Sequence, residues 1–202
     1  MDASKIFKNL KNILTADCEV IKLKDSQYVF PIFKNGRSSL TQYAEKNNLK
    51  VFKNKEILNL KKIKVFLRSP RDRFVSGVHT FFYQNHNGLI NKKILKKIEN
   101  FDIVDRHFMP QYIWLLHLHR YFKGEIKIKN VTQLYDMIPN RDGPWLNNPK
   151  PWKKITKNQK KKILSIQHKK YIQVDEKIIS KYLNQSVNLS KIVEEFKIYA
   201  LS

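Results

Sequence analysis

One cysteine, Cys18, stands in a chain of 202 residues. That excludes an internal disulfide framework and any zinc site built on paired cysteines, and it fits a reducing compartment. Glycine is scarce, with 5 in the chain, and the one stretch that looks like a phosphate loop lacks the glycine spacing of a Walker A motif. Acidic residues are the third shortage: 17 Asp and Glu stand against 40 Lys and Arg, a formal charge of +23. Such an excess favours anionic partners such as nucleic acid, phosphorylated cofactors, acidic glycans or membrane surfaces. A Lys-, Asn- and Ile-rich bias inherited from A+T-rich coding sequence produces the same excess without any partner. No run approaches the ~20 apolar residues that span a bilayer, and the first residues carry no signal-peptide core. A soluble, cytoplasmic protein is the expectation.

What is present suffices for a folded core, with 42% hydrophobic and 12% aromatic residues. The apolar positions Ile6, Phe7, Leu10, Ile13 and Leu14 share a helical face and predict a short amphipathic helix over 4–15. β-rich runs follow at 19–23 and 27–33, and the second leads through Gly36 into a helical pattern with Ser38 or Ser39 near its cap. Further strands are expected at 49–52 and 63–70, the latter ending where Pro70 removes a ladder donor and opens a helix. Beyond residue 85 the pattern is mainly helical, at about 89–99, 109–122, 131–138, 156–182 with a break, and 189–199. The stretch at 138–152 is Pro-, Gly- and Asn-rich and reads as a loop. These alternations predict a single α/β domain over residues 1–202, its ligand site at the carboxyl ends of the strands.

Two segments carry phosphate chemistry. Lys34-Asn35-Gly36-Arg37-Ser38-Ser39 offers an ammonium, closely spaced backbone N–H groups, two hydroxyls and a helix N-terminus at the end of a strand. An ordinary strand-turn-helix junction with a capping serine uses the same residues. In the second segment, "VFLRSPRDRFVSG", Arg68 ends a strand and Ser76 lies on the helix that folds back beside it. There a guanidinium grips a second phosphate and a hydroxyl donates to it. Arg71 and Arg73 fit structural roles as well. Together the two segments describe a ligand with phosphates at two separated positions.

"PIFKNGRSSL" resembles the 5′-phosphosulfate loop of sulfotransferases, and "FLRSPRDRFVSGV" resembles their 3′-phosphate motif. "VDRHFMPQYIWLL" is similar to the H-x-x-P-Q segment of the carbohydrate sulfotransferases, "GPWLNNPKPW" to their late loop, and "KKYIQVDEKII" to their terminal helix. The likeness spans about residues 27–180. Ser69 stands where the family usually has Asp, and Phe33 where it has Pro. The resemblance implies a P-loop-like parallel sheet flanked by helices, with a mainly helical C-terminal half. It implies transfer of a sulfuryl group from 3′-phosphoadenosine 5′-phosphosulfate, without a metal, to an acceptor hydroxyl on a saccharide or other anionic glycan.

By the same resemblance, Lys34, the backbone from Asn35 through Gly36 and Arg37 to Ser39, and the Ser38 and Ser39 hydroxyls hold the 5′-phosphate. Arg68 and Ser76 hold the 3′-phosphate. Glu56 is the first choice for the general base, His107 the second and His79 the third. Trp114 is expected in the core, and Trp145 over the adenine or beside an acceptor groove. Two rivals use the charge differently: a nucleic-acid-binding protein with its basic segment at 150–170 on phosphates, and a kinase with a degenerate P-loop.

Overall fold

The computed structural model describes residues 17–138 and 155–201. The expected helix at 4–15, Trp145, Trp152 and nearly all of the Pro-rich loop lie outside these residues. The elements in chain order are β1 (Glu19–Lys22), β2 (Tyr28–Phe30), α1 (Arg37–Lys46), β3 (Val51–Lys53), a 3-10 helix (Asn54–Asn59), β4 (Lys62–Leu67), α2 (Pro70–His86), α3 (Lys92–Glu99), α4 (Gln111–His119), β5 (Glu125–Asn130), α5 (Val131–Met137), α6 (Lys157–Leu164), α7 (Lys169–Tyr182), β6 (Ser186–Asn188) and α8 (Leu189–Leu201). None of the described helices is long and apolar enough to cross a membrane.

The six strands form one α/β sheet in the order β3-β1-β2-β4-β5-β6. It is mixed, not parallel throughout as the sequence led one to expect. β2, β4 and β5 run parallel, whereas β1 lies antiparallel to both β2 and β3, and β6 antiparallel to β5. The short connection from β1 to β2 explains part of this. It turns at Ser26, where φ is 61°, and so short a link joins only antiparallel neighbours. β2 is also shorter than its apolar run, because Pro31 donates no ladder bond and the chain turns just beyond it.

Each face of the sheet has its own cover. α2, α4, α7 and α8 pack over Val20, Phe30, Ile63, Val65, Leu67, Ile126 and Ile128 in the larger core. On the other face, Leu40 and Ala44 of α1 and Leu134 of α5 pack over Ile21, Val29 and Phe66. The chain therefore leaves β2 towards one face through α1 and leaves β4 towards the opposite face through α2. Where neighbouring parallel strands send their helices to opposite sides, a crevice opens at their carboxyl ends. Trp114 is buried in the larger core, as its spacing predicts.

Candidate functional site

The crevice between β2 and β4 opens into a cavity of about 810 Å³ between α1 and α2. Its lining includes Lys34, Gly36, Arg37, Ser38, Ser39, Arg68, Ser76, His79, Thr80 and His107. Eight of the ten residues expected to form the site are in that wall; Asn35 and Glu56 are not.

The loop that forms one wall is a tight backbone reversal. The Asn35 N–H donates to the Ile32 carbonyl at 3.1 Å, and both Lys34 and Gly36 adopt left-handed backbone, with φ of 65° and 80°. Gly36 is required twice, since a Cβ there would also sit 2.9 Å from the Leu134 side chain on α5. α1 begins immediately afterwards with Gly36 as its cap and no side-chain cap hydrogen bond. Ser38 and Ser39 are thus the second and third residues of the helix and not its caps. Their hydroxyls join an end whose first amides lack intrahelical acceptors and whose dipole favours an anion.

Across the cavity, the Lys34 ammonium donates to the Thr80 hydroxyl on α2 at 2.5 Å, one turn beyond Ser76. Arg68 enters from the end of β4. Gln111, which opens α4, fixes its backbone by accepting the Arg68 N–H at 2.8 Å and donating to the Arg68 carbonyl at 2.9 Å. Among the described residues the guanidinium makes a 3.5 Å contact with the Lys34 carbonyl.

Beneath this wall lies a buried polar hub. Asn35 turns its side chain away from the cavity, donating to the Phe66 carbonyl at 2.8 Å and to Gln111 Oε1 at 2.5 Å. Its role is to anchor the loop, because both its backbone N–H and its side-chain NH₂ are already engaged within the protein. Asp175, wholly buried on α7, accepts the Gln111 and Tyr112 backbone N–H groups at 2.6 and 2.9 Å. It thereby caps α4, and burial pushes its carboxyl up to about 6. Arg73 is equally buried, donating to the carbonyls of Phe33 at 3.0 Å and of Met109. Burial lowers its guanidinium to about 10. Of the arginines in the second segment, Arg73 is structural and Arg68 faces the cavity.

Two histidines approach from different elements. His79 on α2 is buried, and among the described residues its Nε2 has no hydrogen-bond partner. Burial, and then the Lys34 charge, lower its pKa, so it is neutral at pH 7. His107 precedes α4 and reaches the cavity because Gly77 lets α2 pack onto its backbone; a Cβ at Gly77 would collide with the His107 carbonyl. Its Nδ1 sits 2.6 Å from Asp105, which also accepts the His107 backbone N–H at 2.8 Å. Burial opposes ionisation of Asp105, but the ring and backbone hydrogen bonds from His107 outweigh it and hold the carboxyl below its ordinary value. A carboxylate on Nδ1 fixes the tautomer that leaves Nε2 as the proton acceptor.

Glu56, the first choice for the base, lies elsewhere. It is exposed on the 3-10 helix, where its carboxylate accepts the Lys53 N–H at 2.7 Å in a capping box. The strand before it, β3, is at the sheet edge, which moves its helix away from the crevice. Arg37 lines the cavity but is engaged by Glu19 at 3.0 Å and by the Phe33 ring at 4.3 Å. Sequence reasoning missed Thr80, Asp105 and the carboxylate Glu45 farther along the wall. Thr80 repeats the face of Ser76 one helical turn on, and Asp105 stands two residues before His107. No family model matches the chain, and neither curated proteins nor solved structures gave a match.

Proposed function

We propose that the chain is a sulfotransferase, moving a sulfuryl group from 3′-phosphoadenosine 5′-phosphosulfate to an acceptor hydroxyl, on a carbohydrate. The observation that carries this reading is the convergence on one cavity of two separated cation sites, Lys34 and Arg68, with a helix start lacking a side-chain cap and an Asp105-oriented His107. The residues fit the two ends of such a cofactor. Lys34 and the first turn of α1 suit a phosphate next to the departing group, and Arg68 with Ser76 suits a second phosphate at a distance.

When bound, the cofactor supplies the activated sulfuryl group. The protein contributes charge and position. Lys34 neutralises negative charge that grows on the bridging oxygen as the sulfur–oxygen bond breaks, and the Ser38 and Ser39 hydroxyls donate to the same phosphate. His107 Nε2 takes the acceptor hydroxyl's proton as the new sulfur–oxygen bond forms, and Asp105 stabilises the resulting imidazolium. His79, neutral and beside Lys34, adds no competing charge.

Adenosine 3′,5′-bisphosphate tests the reading directly. At a hundredfold excess over Kd it stabilises a protein by about 2.7 kcal/mol. A rise of several degrees in Tm is expected, absent in Lys34→Ala and Arg68→Ala and not reproduced by ATP with magnesium. No shift at millimolar bisphosphate sinks the assignment.

A further inference from the structure

His79 is the most deeply buried side chain of the cavity wall, 2% exposed, and among the described residues its Nε2 has no hydrogen-bond partner. A buried polar atom without a partner is costly, and its completion by a ligand is one reason for a fold to keep it. The setting narrows the ligand. Ser76, His79 and Thr80 stand at i, i+3 and i+4 on α2 and share one helix face, and all three line the cavity. Thr80 is also the residue that accepts from the Lys34 ammonium. One helix face therefore brings together a hydroxyl, an imidazole and the partner of a cation, a set that suits the oxygens of a phosphate.

The charges around the ring decide its protonation. Lys34 comes from the loop, Arg68 from the end of β4 and Arg37 from α1, where Glu19 holds it at 3.0 Å; the cavity wall adds the carboxylate Glu45 on the third turn of α1. His107 is held by Asp105, and on α6 Lys160 pairs with Asp72 at 3.7 Å. On α2 itself the Tyr83 ring packs against His79, with centroids 4.8 Å apart. Burial first, and then the Lys34 charge, lower the His79 pKa, while a hydrogen bond with the Gln159 side chain of α6 pulls the other way. His79 is neutral for as long as Lys34 is the charge that dominates its surroundings. A phosphate reverses that balance, because it neutralises Lys34 and brings negative charge of its own. An opposite charge within about 4–6 Å moves a neighbouring titration by about 1–3 pH units.

We infer that His79 is a proton-linked anion-binding residue, neutral in the free protein and protonated from solvent when a phosphate group enters the cavity, its ring N–H then donating to a phosphate oxygen. No covalent bond to the ligand forms or breaks. The inference rests on the proposed cofactor, whose phosphates are the anions in question. Its sign follows from linkage: a pKa raised by binding strengthens binding fully below the free value, and that gain is lost as pH rises through the bound value. Affinity therefore increases as pH falls.

The test is titration calorimetry of the full chain with adenosine 3′,5′-bisphosphate, in buffers of different ionisation heat so that proton uptake is read directly. It runs from about pH 8 to about pH 6.5, above the second pKa of a phosphate monoester at about 6. One linked proton changes affinity by at most about tenfold per pH unit, and a gain of about three- to tenfold over this range is expected, with net uptake. His79→Gln should bind with no uptake and no gain, whereas His107→Asn should keep both. Because His79 is buried, a second variant leaves it in place. Gln159→Glu retains the capping box of α6 and sets a carboxylate against the ring, so uptake should move to higher pH. No binding at about pH 8, where His79 is neutral, would sink the cofactor and this inference with it. Binding without uptake, uptake kept in His79→Gln or lost in His107→Asn, or an unmoved range in Gln159→Glu, would overturn the role of His79 and leave the cofactor standing.

Discussion

Arg68 and Arg73 come from one short motif, yet they belong to two regions with opposite chemistry. Arg73 sits in the buried hub with Asn35, Gln111 and Asp175, where most polar groups bond one another or backbone carbonyls, Asn35 Oδ1 and one Arg73 terminal nitrogen lacking a hydrogen bond among the described residues. Arg68 stands in the cavity wall with Lys34, Ser76 and His107, where side chains face open space. Most buried polar groups in folded proteins have their hydrogen bonds made within the protein. The difference teaches that the hub holds the strand ends and loop in place so that the wall can present its side chains to the cavity.

The comparison breaks most visibly at Asp175. Asp175→Ala leaves two buried N–H groups at the start of α4 without an acceptor and removes the carboxylate whose charge offsets Arg73. Each orphaned buried group costs about 1–3 kcal/mol, so a loss of about 4 kcal/mol is expected. For a domain of this size that lowers Tm by roughly 10 °C, readable by calorimetry. Gln111→Ala should follow the same pattern somewhat less severely, since it frees the Arg68 backbone and the Asn35 amide. A hub variant with unchanged Tm and lost ligand binding would erase the distinction between the regions.

Packing of the wall onto the hub is sharpened by Gly77→Ala. The added methyl meets the His107 carbonyl and the Phe108 backbone, a collision with main chain that cannot rotate away. Overpacking of this kind costs about 1–3 kcal/mol. The same change displaces His107, so turnover should fall further than stability accounts for.

Within the wall the expected effects on stability are small and those on ligand large. Lys34→Ala should lower the unliganded Tm by roughly 2–4 °C, because it removes a hydrogen bond to Thr80 worth about 1 kcal/mol, and should abolish the shift caused by adenosine 3′,5′-bisphosphate. His107→Asn should keep that shift and lose turnover by about 10²–10⁴-fold, the contribution of general base catalysis. Loss of the bisphosphate shift in the His107 variant would place that side chain in binding instead.

Much of this division could be read in the sequence where a local rule governs it. The strand-turn-helix at Lys34 to Ser39 and the strand that ends before Pro70 follow from apolar spacing and from Gly or Pro punctuation. The antiparallel edges were harder to see. β6 is a three-residue strand with no periodicity, and β1 joins β2 through a turn whose consequence for direction is topological. Glu56 misled for the same reason: distance along the chain from Lys34 says nothing of β3 lying at the sheet edge. The hub was unreadable because Asn35, Gln111 and Asp175 come from three distant segments, and only folding shows that a motif-like Gln and Asp serve structure. Asp105 is the exception, two residues from His107 and recoverable from the D-x-H pattern.

The smallest expected effect concerns that pair. Asp105 has its carboxyl held below the ordinary value, burial being outweighed by hydrogen bonds from His107. A carboxyl depressed in the folded state contributes stability above its unfolded pKa of about 3.9 and loses it as pH falls through the folded value. The Tm difference between the native chain and Asp105→Asn should therefore be constant from pH 8 to about pH 5 and narrow below about pH 4. At neutral pH the variant should keep bisphosphate binding while turnover declines, since Nδ1 loses the carboxylate that fixes its tautomer. A Tm gap that stays open at pH 3 would mean that Asp105 acts through packing and not through its charge, and His107 would lose the partner that distinguishes it from His79.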